Sequence, residues 1–172
     1  MDYVDLYLIH WPVPERLETW KVFEKMKEEG LAKSIGVSNF TVRHLKQVIE
    51  KSMAVPAVNQ VEFNPFIYQK ELLDFCKKQG IVLEAYCPLS RGEKLDHPAI
   101  KKAASAYSRT PAQVLLRWAV QHGIAVIPKS VNAARIRENA GIFDFSIKES
   151  DMKLLDSLDE GFRICSDPTD EP

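Results

Sequence analysis

The chain alternates short apolar, β-branched runs with stretches in which apolar residues recur every three or four positions. The runs predict five strands: Tyr3 to Trp11, Leu31 to Val37, Ala57 to Glu62, Ile81 to Tyr86 and Ile124 to Pro128. Near-continuous apolar strands suit a sheet covered on both faces. Between them, Leu17, Trp20, Phe23 and Met26 mark one helical stripe. Val42, Leu45, Val48 and Ile49 mark a second after Thr41, and Leu72, Leu73 and Cys76 a third. Thr110 as a cap and Pro111 in the first turn open a helix carrying Val114, Leu115 and Trp118. Ser146 with Glu149 three positions later predicts a capping box ahead of Met152, Leu155 and Leu158. Gly30, Gly80 and Gly123 stand where a left-handed residue ends a helix.

Strand and helix in regular alternation predict an α/β fold with a parallel sheet and crossover helices. No Gly/Ser-rich or low-complexity tract divides the chain, so residues 1–172 are read as one domain. Two architectures share this rhythm, the doubly wound sheet and the (β/α)8 TIM barrel. A dinucleotide-binding doubly wound sheet carries GxGxxG after its first strand, and no such turn exists here. Polar residues instead follow each strand: His10 and Trp11, Ser38 and Asn39, Gln60 and Glu62, Tyr86 and Cys87, Lys129 and Ser130. Side chains converging from many strand ends are how a barrel builds a site. A full barrel takes about 250 residues. The expectation is therefore a partial (β/α)8 barrel, about five of eight strand-helix units.

Composition narrows the partners. With 45% of positions apolar and 27% charged, the chain is globular rather than disordered. A net charge of -1 leaves no basic excess for phosphate backbones, so nucleic acid is not an expected partner. No apolar run reaches the roughly 18 residues of a membrane span. The first residues have the pattern of neither a signal peptide nor a transit segment, which makes the cytoplasm the expected location. Cys76, Cys87 and Cys165 are widely spaced without a CxxC, so neither a disulfide framework nor a zinc site is expected. His44, His97 and His122 fall on helical stretches without ligand spacing, and no metal is expected. Trp20 and Trp118 sit at core spacing. Asp167, Asp170 and Glu171 are read as a frayed acidic end.

Five runs, in order, resemble the aldo-keto reductase family: Leu6-Tyr7-Leu8-Ile9-His10-Trp11-Pro12, Ile35-Gly36-Val37-Ser38-Asn39-Phe40, Asn59-Gln60-Val61-Glu62, Ala85-Tyr86-Cys87-Pro88-Leu89 and Ile127-Pro128-Lys129-Ser130. Arg135, Glu138 and Asn139 follow at the matching places. The resemblance covers essentially the whole chain and implies a (β/α)8 barrel, NADP(H) as cofactor, and reversible reduction of aldehydes or ketones to alcohols. By that likeness the chain runs from barrel strand four to the end.

Carried over by position, the resemblance gives His10 the substrate carbonyl and Trp11 the pocket wall. It gives Ser38, Asn39 and Gln60 the carboxamide of the nicotinamide and Tyr86 the stacking face. Cys87 and Leu89 lie in the cofactor loop. Lys129, Ser130 and Arg135 match the grip on the 2'-phosphate, and Glu138 and Asn139 the adenine contacts. A guanidinium and an ammonium suit a dianionic phosphate, which favours NADP over NAD.

The sequence also departs from the family. Its reductases protonate the developing alkoxide with a Tyr whose pKa is lowered by a Lys paired with an Asp, all ahead of strand four. No Tyr, Lys or Asp here stands in a matching context. Cys87 stands where a Ser is usual, and Ser90-Arg91 replaces the usual Gly. The isolated chain is therefore expected to be weak or inactive. The alternative is a non-catalytic NADP(H)-binding or regulatory subunit. Open strand edges predict self-association or pairing with a complementing barrel half.

Overall fold

A computed structural model describes residues 2–172. Five parallel strands form one sheet in chain order: β1 (Val4–Ile9), β2 (Ala32–Ser38), β3 (Val58–Glu62), β4 (Val82–Tyr86) and β5 (Ala125–Val126). Each predicted strand exists; all start one residue late, β2 runs one residue further to Ser38, and only the first and fifth are also cut at the C-terminal end. The fifth contracts to two residues, although the Ile127 N-H just beyond it still donates to the Ala85 carbonyl of β4 at 3.2 Å. β1 pairs with β2 in the register Val4 to Ala32 through Ile9 to Val37, and β2 with β3 from Val37 to Asn59. Neighbouring strands in chain order are the outcome of right-handed crossovers that each lay a helix back on the sheet.

The helices are α1 (Arg16–Glu28), α2 (Val42–Lys51), α3 (Lys70–Gln79), α4 (Pro98–Tyr107), α5 (Pro111–Gln121), α6 (Ala133–Ala140) and α7 (Glu149–Asp156). Pattern reading found α1, α2, α3, α5 and α7 but not α4 or α6. α4 is alanine-rich and buries a stripe of Ile100, Ala103 and Ala104, and α6 (Ala133–Ala140) exposes most of its residues. Gly80 closes α3 at φ 71 and lets Ile81 N-H reach the Cys76 carbonyl at 2.9 Å. Thr110 caps α5 as read, and Thr41 caps α2, each in a reciprocal box, with Gln113 and His44 as the returning partners. The box expected from Ser146 and Glu149 is absent. Lys148 is the residue ahead of α7, and the Ser146 hydroxyl accepts from Arg117 Nη2 at 3.0 Å instead.

By contact density the chain divides into two compact units, each built from separated segments. The first holds the chain up to Val61, Gln69–Glu84 and Ser166–Pro172. Its core is Trp20, Ile35, Val37, Leu45, Val48, Leu73 and Cys76, all buried. Gly36 is required there by close approach: a Cβ would meet the Val58 carbonyl oxygen at 2.6 Å and a Leu8 methyl at 2.7 Å. β1 ends the sheet, and its outer residues Asp5 and Tyr7 are exposed. The second unit holds Glu62–Tyr68 and Ala85–Cys165. Phe63, Phe66, Ile100, Leu115, Leu116, Trp118 and Leu155 fill its core, and the Phe63 and Trp118 rings stack with centroids 5.5 Å apart. Both tryptophans are packing residues, as their spacing predicts. Among the described residues, no helix is long and apolar enough to cross a membrane.

Candidate functional site

In the first unit, one hydrogen-bond network gathers four of the expected site residues. β2 ends in Ser38, and Asn39 then takes a left-handed conformation at φ 65, a geometry Asn tolerates better than most side chains. That turn aims the Asn39 amide nitrogen at two acceptors, the His10 carbonyl at 3.1 Å and Ser38 Oγ at 3.0 Å. Ser38 Oγ donates to the Gln60 carbonyl at 2.7 Å, and the Asn39 backbone N-H reaches the same carbonyl at 2.9 Å. Gln60 Nε2 donates to Glu84. The ends of β1, β2 and β3 are thus tied by polar side chains where the ladder stops. Ser38 and Asn39 are buried, Gln60 is half-buried and His10 is exposed.

Trp11 lies beside a partner the sequence did not announce. Its indole N-H donates to Glu171 Oε1 at 2.8 Å. The acidic end is therefore not frayed. Arg43 Nη2 donates to the Thr169 carbonyl at 3.2 Å and also to the Glu171 carbonyl, and His44 Nε2 lies 3.2 Å from the latter. Asp167 accepts from the Thr169 N-H at 3.0 Å and from its hydroxyl at 2.6 Å. Burial holds the His44 pKa below its usual range, with Arg43 and Arg16 adding to the effect and the Glu171 carbonyl opposing it.

The second unit carries the remaining candidates. Tyr86 ends β4, half-buried, and burial with the nearby Cys165 and Glu62 keeps its phenol neutral well above the ordinary range. Cys87, Ser90 and Arg91 all take left-handed backbone conformations, φ 46, 48 and 50. Leu89 accepts from the Gly92 N-H at 2.8 Å across this turn. Among the described residues the buried Ser90 hydroxyl has no hydrogen-bond partner. A buried donor left unpaired costs about 1–3 kcal/mol.

Lys129 follows β5 and is exposed, and Ser130 receives the Asn132 N-H at 3.1 Å. Asn132 caps α6, accepting from the Ala134 and Arg135 N-H groups at 2.9 and 3.2 Å. Arg135 is exposed on the first turn, and among the described residues neither it nor Lys129 is in an ion pair with a carboxylate of this chain. Two unneutralised cations at a helix N-terminus make an anion-accepting surface. Glu138 and Asn139 are less open than the sequence suggests. Glu138 Oε1 accepts from Thr110 Oγ1 at 2.6 Å, the Glu138 carbonyl accepts from Gln113 Nε2 at 3.1 Å, and Asn139 is buried.

Glu62, which the sequence shows only as a polar residue at a strand end, is central to this unit. It is fully buried and accepts the Ile164 N-H at 2.8 Å and the Cys165 N-H at 3.0 Å. A carboxylate in an apolar strand, 102 positions from its partner, was the only available signal. Among the described residues no group of three His, Cys, Asp or Glu gathers as a metal site.

Comparison with known proteins names the class. The model of the aldo/keto reductase family matches residues 1–160, and the chain belongs to that family. It is 47% identical over 169 residues to an uncharacterized oxidoreductase, YtbE, of Bacillus subtilis (strain 168), covering 98% of this chain and 60% of that protein. It is likewise 47% identical to a glyoxal reductase of the same organism, covering 98% of this chain and 61% of that protein. Among solved structures, MGS-M4, an aldo-keto reductase from a Medee basin deep-sea metagenome library, superposes with a TM-score of 0.94 at 40% identity, covering 100% of this chain and 66% of its own. A mutant of Gox0644 in complex with NADPH superposes at 0.93 with 42% identity, covering 99% of this chain and 65% of its own. The chain spans about six-tenths of the length of these curated relatives.

Proposed function

We propose that these residues are the cofactor-holding portion, five strand-helix units of a (β/α)8 barrel, of an NADPH-dependent reductase of small aldehydes or ketones. The observation that carries this reading is the network in which Asn39 binds the His10 carbonyl and the Ser38 hydroxyl. It fixes, at the strand ends, the polar side chains the family uses. Ser38, Asn39 and Gln60 hold the nicotinamide carboxamide, and Tyr86, neutral and half-buried, gives the ring a face to stack on. Cys87 and Leu89 line the turn whose left-handed residues and orphaned Ser90 hydroxyl suit a pyrophosphate. Lys129, Ser130 and Arg135 take the 2'-phosphate, and Glu138 and Asn139 flank the adenine. When bound, NADPH supplies the hydride. His10 orients the substrate carbonyl and Trp11, held by Glu171, walls the pocket.

Orientation of this kind is the main service a protein renders to hydride transfer. Proton delivery is the part these residues serve poorly, since none of their tyrosines matches the family donor. General acid catalysis is worth about 10²- to 10⁴-fold, and the chain alone should turn over more slowly by that order. The outer edge of β1 is the surface on which a complementing barrel half, or a second copy, would pair.

Titration of the chain with NADPH and NADH, followed by tyrosine and tryptophan fluorescence, tests the cofactor reading. NADPH should bind tighter, and exchanging both Lys129→Ala and Arg135→Ala should weaken NADPH by tenfold or more while leaving NADH unchanged, a loss of about 1.4 kcal/mol or more. Equal affinity for the two nucleotides, or none for either, defeats the proposal. Binding without any oxidation of NADPH by glyoxal would favour the non-catalytic subunit.

A further inference from the structure

The indole N-H is the one hydrogen-bond donor of the Trp11 side chain, and the chain itself takes it. The acceptor, Glu171 Oε1 at 2.8 Å, lies 160 positions away within the first unit. The segment that delivers this carboxylate is pre-shaped. Asp167 Oδ1 accepts from the Thr169 N-H and hydroxyl, and the Glu171 N-H turns back to the Pro168 carbonyl at 3.3 Å. Pro168 is buried and anchors the turn. Arg43 Nη2 donates to the Thr169 carbonyl at 3.2 Å and to the Glu171 carbonyl. His44 adds a further hold: its Nδ1 accepts the Thr41 N-H at 3.2 Å, which leaves the proton on Nε2, 3.2 Å from the Glu171 carbonyl. Backbone carbonyls thus secure the base of the segment, while one side chain reaches the site. Thr169 and Asp170 are exposed, and Glu171 and Trp11 are half-buried, so no core packing seals the tip.

We infer that residues 166–171 are an autoinhibitory strap, closed on Trp11 by the Glu171 carboxylate and opened when a free carboxylate takes its place on the indole. The inference rests on the reading of Trp11 as the pocket wall beside His10. A hydrogen bond to an ionised acceptor is about twice as strong as one between neutral groups, so an uncharged ligand loses the contest for the indole N-H. A free carboxylate matches Glu171 in kind and differs only in lacking the tether. A short tether gives the attached group an effective concentration of about millimolar, so a free carboxylate opens the strap only above that range or with the help of further contacts in the pocket. Arg43 and His44, bound to backbone carbonyls, are positioning residues: they set where the tip rests and leave the contact with the site to Glu171.

Indole resonances of the nitrogen-15-labelled full chain decide this without any nucleotide, so its failure and that of the cofactor reading are distinguishable. Sodium acetate is the probe, acetamide its uncharged counterpart and sodium chloride the ionic-strength control. Loss of one signal in Trp11→Phe assigns the Trp11 indole. The Trp20 and Trp118 indoles, bonded to the Ala54 carbonyl at 3.1 Å and to Asp156 Oδ1 at 2.7 Å, report in every variant that the fold is intact. Acetate should move the Trp11 signal of Glu171→Ala at concentrations about tenfold or more below those the parent needs. Without acetate, the Trp11 N-H should exchange with water several-fold faster in Glu171→Ala, and also in Arg43→Gln, which loosens the base of the strap and leaves Glu171 in place. Acetamide and chloride should leave the signal where it is. Equal exchange rates in parent and Glu171→Ala, equal acetate midpoints, no response to acetate in either, or an equal response to acetamide or chloride would each overturn the inference.

Discussion

Asn39 and His44 show how single residues are recruited by their neighbours. Asn39 is left-handed and fully engaged, so one side chain both turns the chain out of β2 and fixes the His10 backbone. His44 works at the opposite end of the same loop, its Nδ1 accepting the Thr41 N-H at 3.2 Å to complete the α2 cap. Burial depresses its pKa below the ordinary 6.5. The unfolded chain then binds a proton that the folded chain resists, so the neutral form's contribution is complete above pH 6.5 and is lost as pH falls below it. Urea midpoints of the parent should therefore drop between pH 7.5 and 5.5. Those of His44→Gln, which keeps an acceptor without a titrating group, should drop less. An equal drop in both would remove His44 from the account.

At the scale of elements, caps were legible and side-chain diversions were not. Thr110 and Pro111 announce α5 by local chemistry alone, and the structure repeats it, with the Gln113 N-H on Thr110 Oγ1 at 3.2 Å. The same hydroxyl also serves Glu138, which no local rule predicts. Thr110→Ala should cost about 1 kcal/mol or somewhat more in urea unfolding, and Thr110→Ser should recover most of it. Equal losses for Ala and Ser would show that the methyl packing, not the hydroxyl, matters. Ser146 illustrates the converse. Its spacing to Glu149 satisfies the capping-box pattern, but Arg117 claims the hydroxyl, and a long-range donor outcompetes a local one. α4 and α6 escaped notice for a related reason, since helices with few large apolar residues carry little period to read.

In the molecule as a whole, Glu62 joins β3 to the segment before the tail, and Glu171 meets Trp11 in a similar long-range closure. Glu62→Ala would strand two backbone N-H groups. Trypsin should then cut after Arg163 several-fold faster than in the parent, with Glu62→Gln intermediate because it retains one acceptor oxygen. Unchanged cleavage in both variants would mean the segment is held by other contacts.

The sequence by itself determined what depends on near neighbours: the strand-helix alternation, the Thr110 cap, the glycines that end helices, the core tryptophans and the family motifs at the strand ends. These follow from backbone sterics and side-chain period, which act over a few residues. Only the tertiary structure decided that the acidic end is anchored and that Glu62 is a buried acceptor. Such pairings join residues many tens of positions apart, and their free energy exists only once packing has excluded the water that each group would otherwise bind.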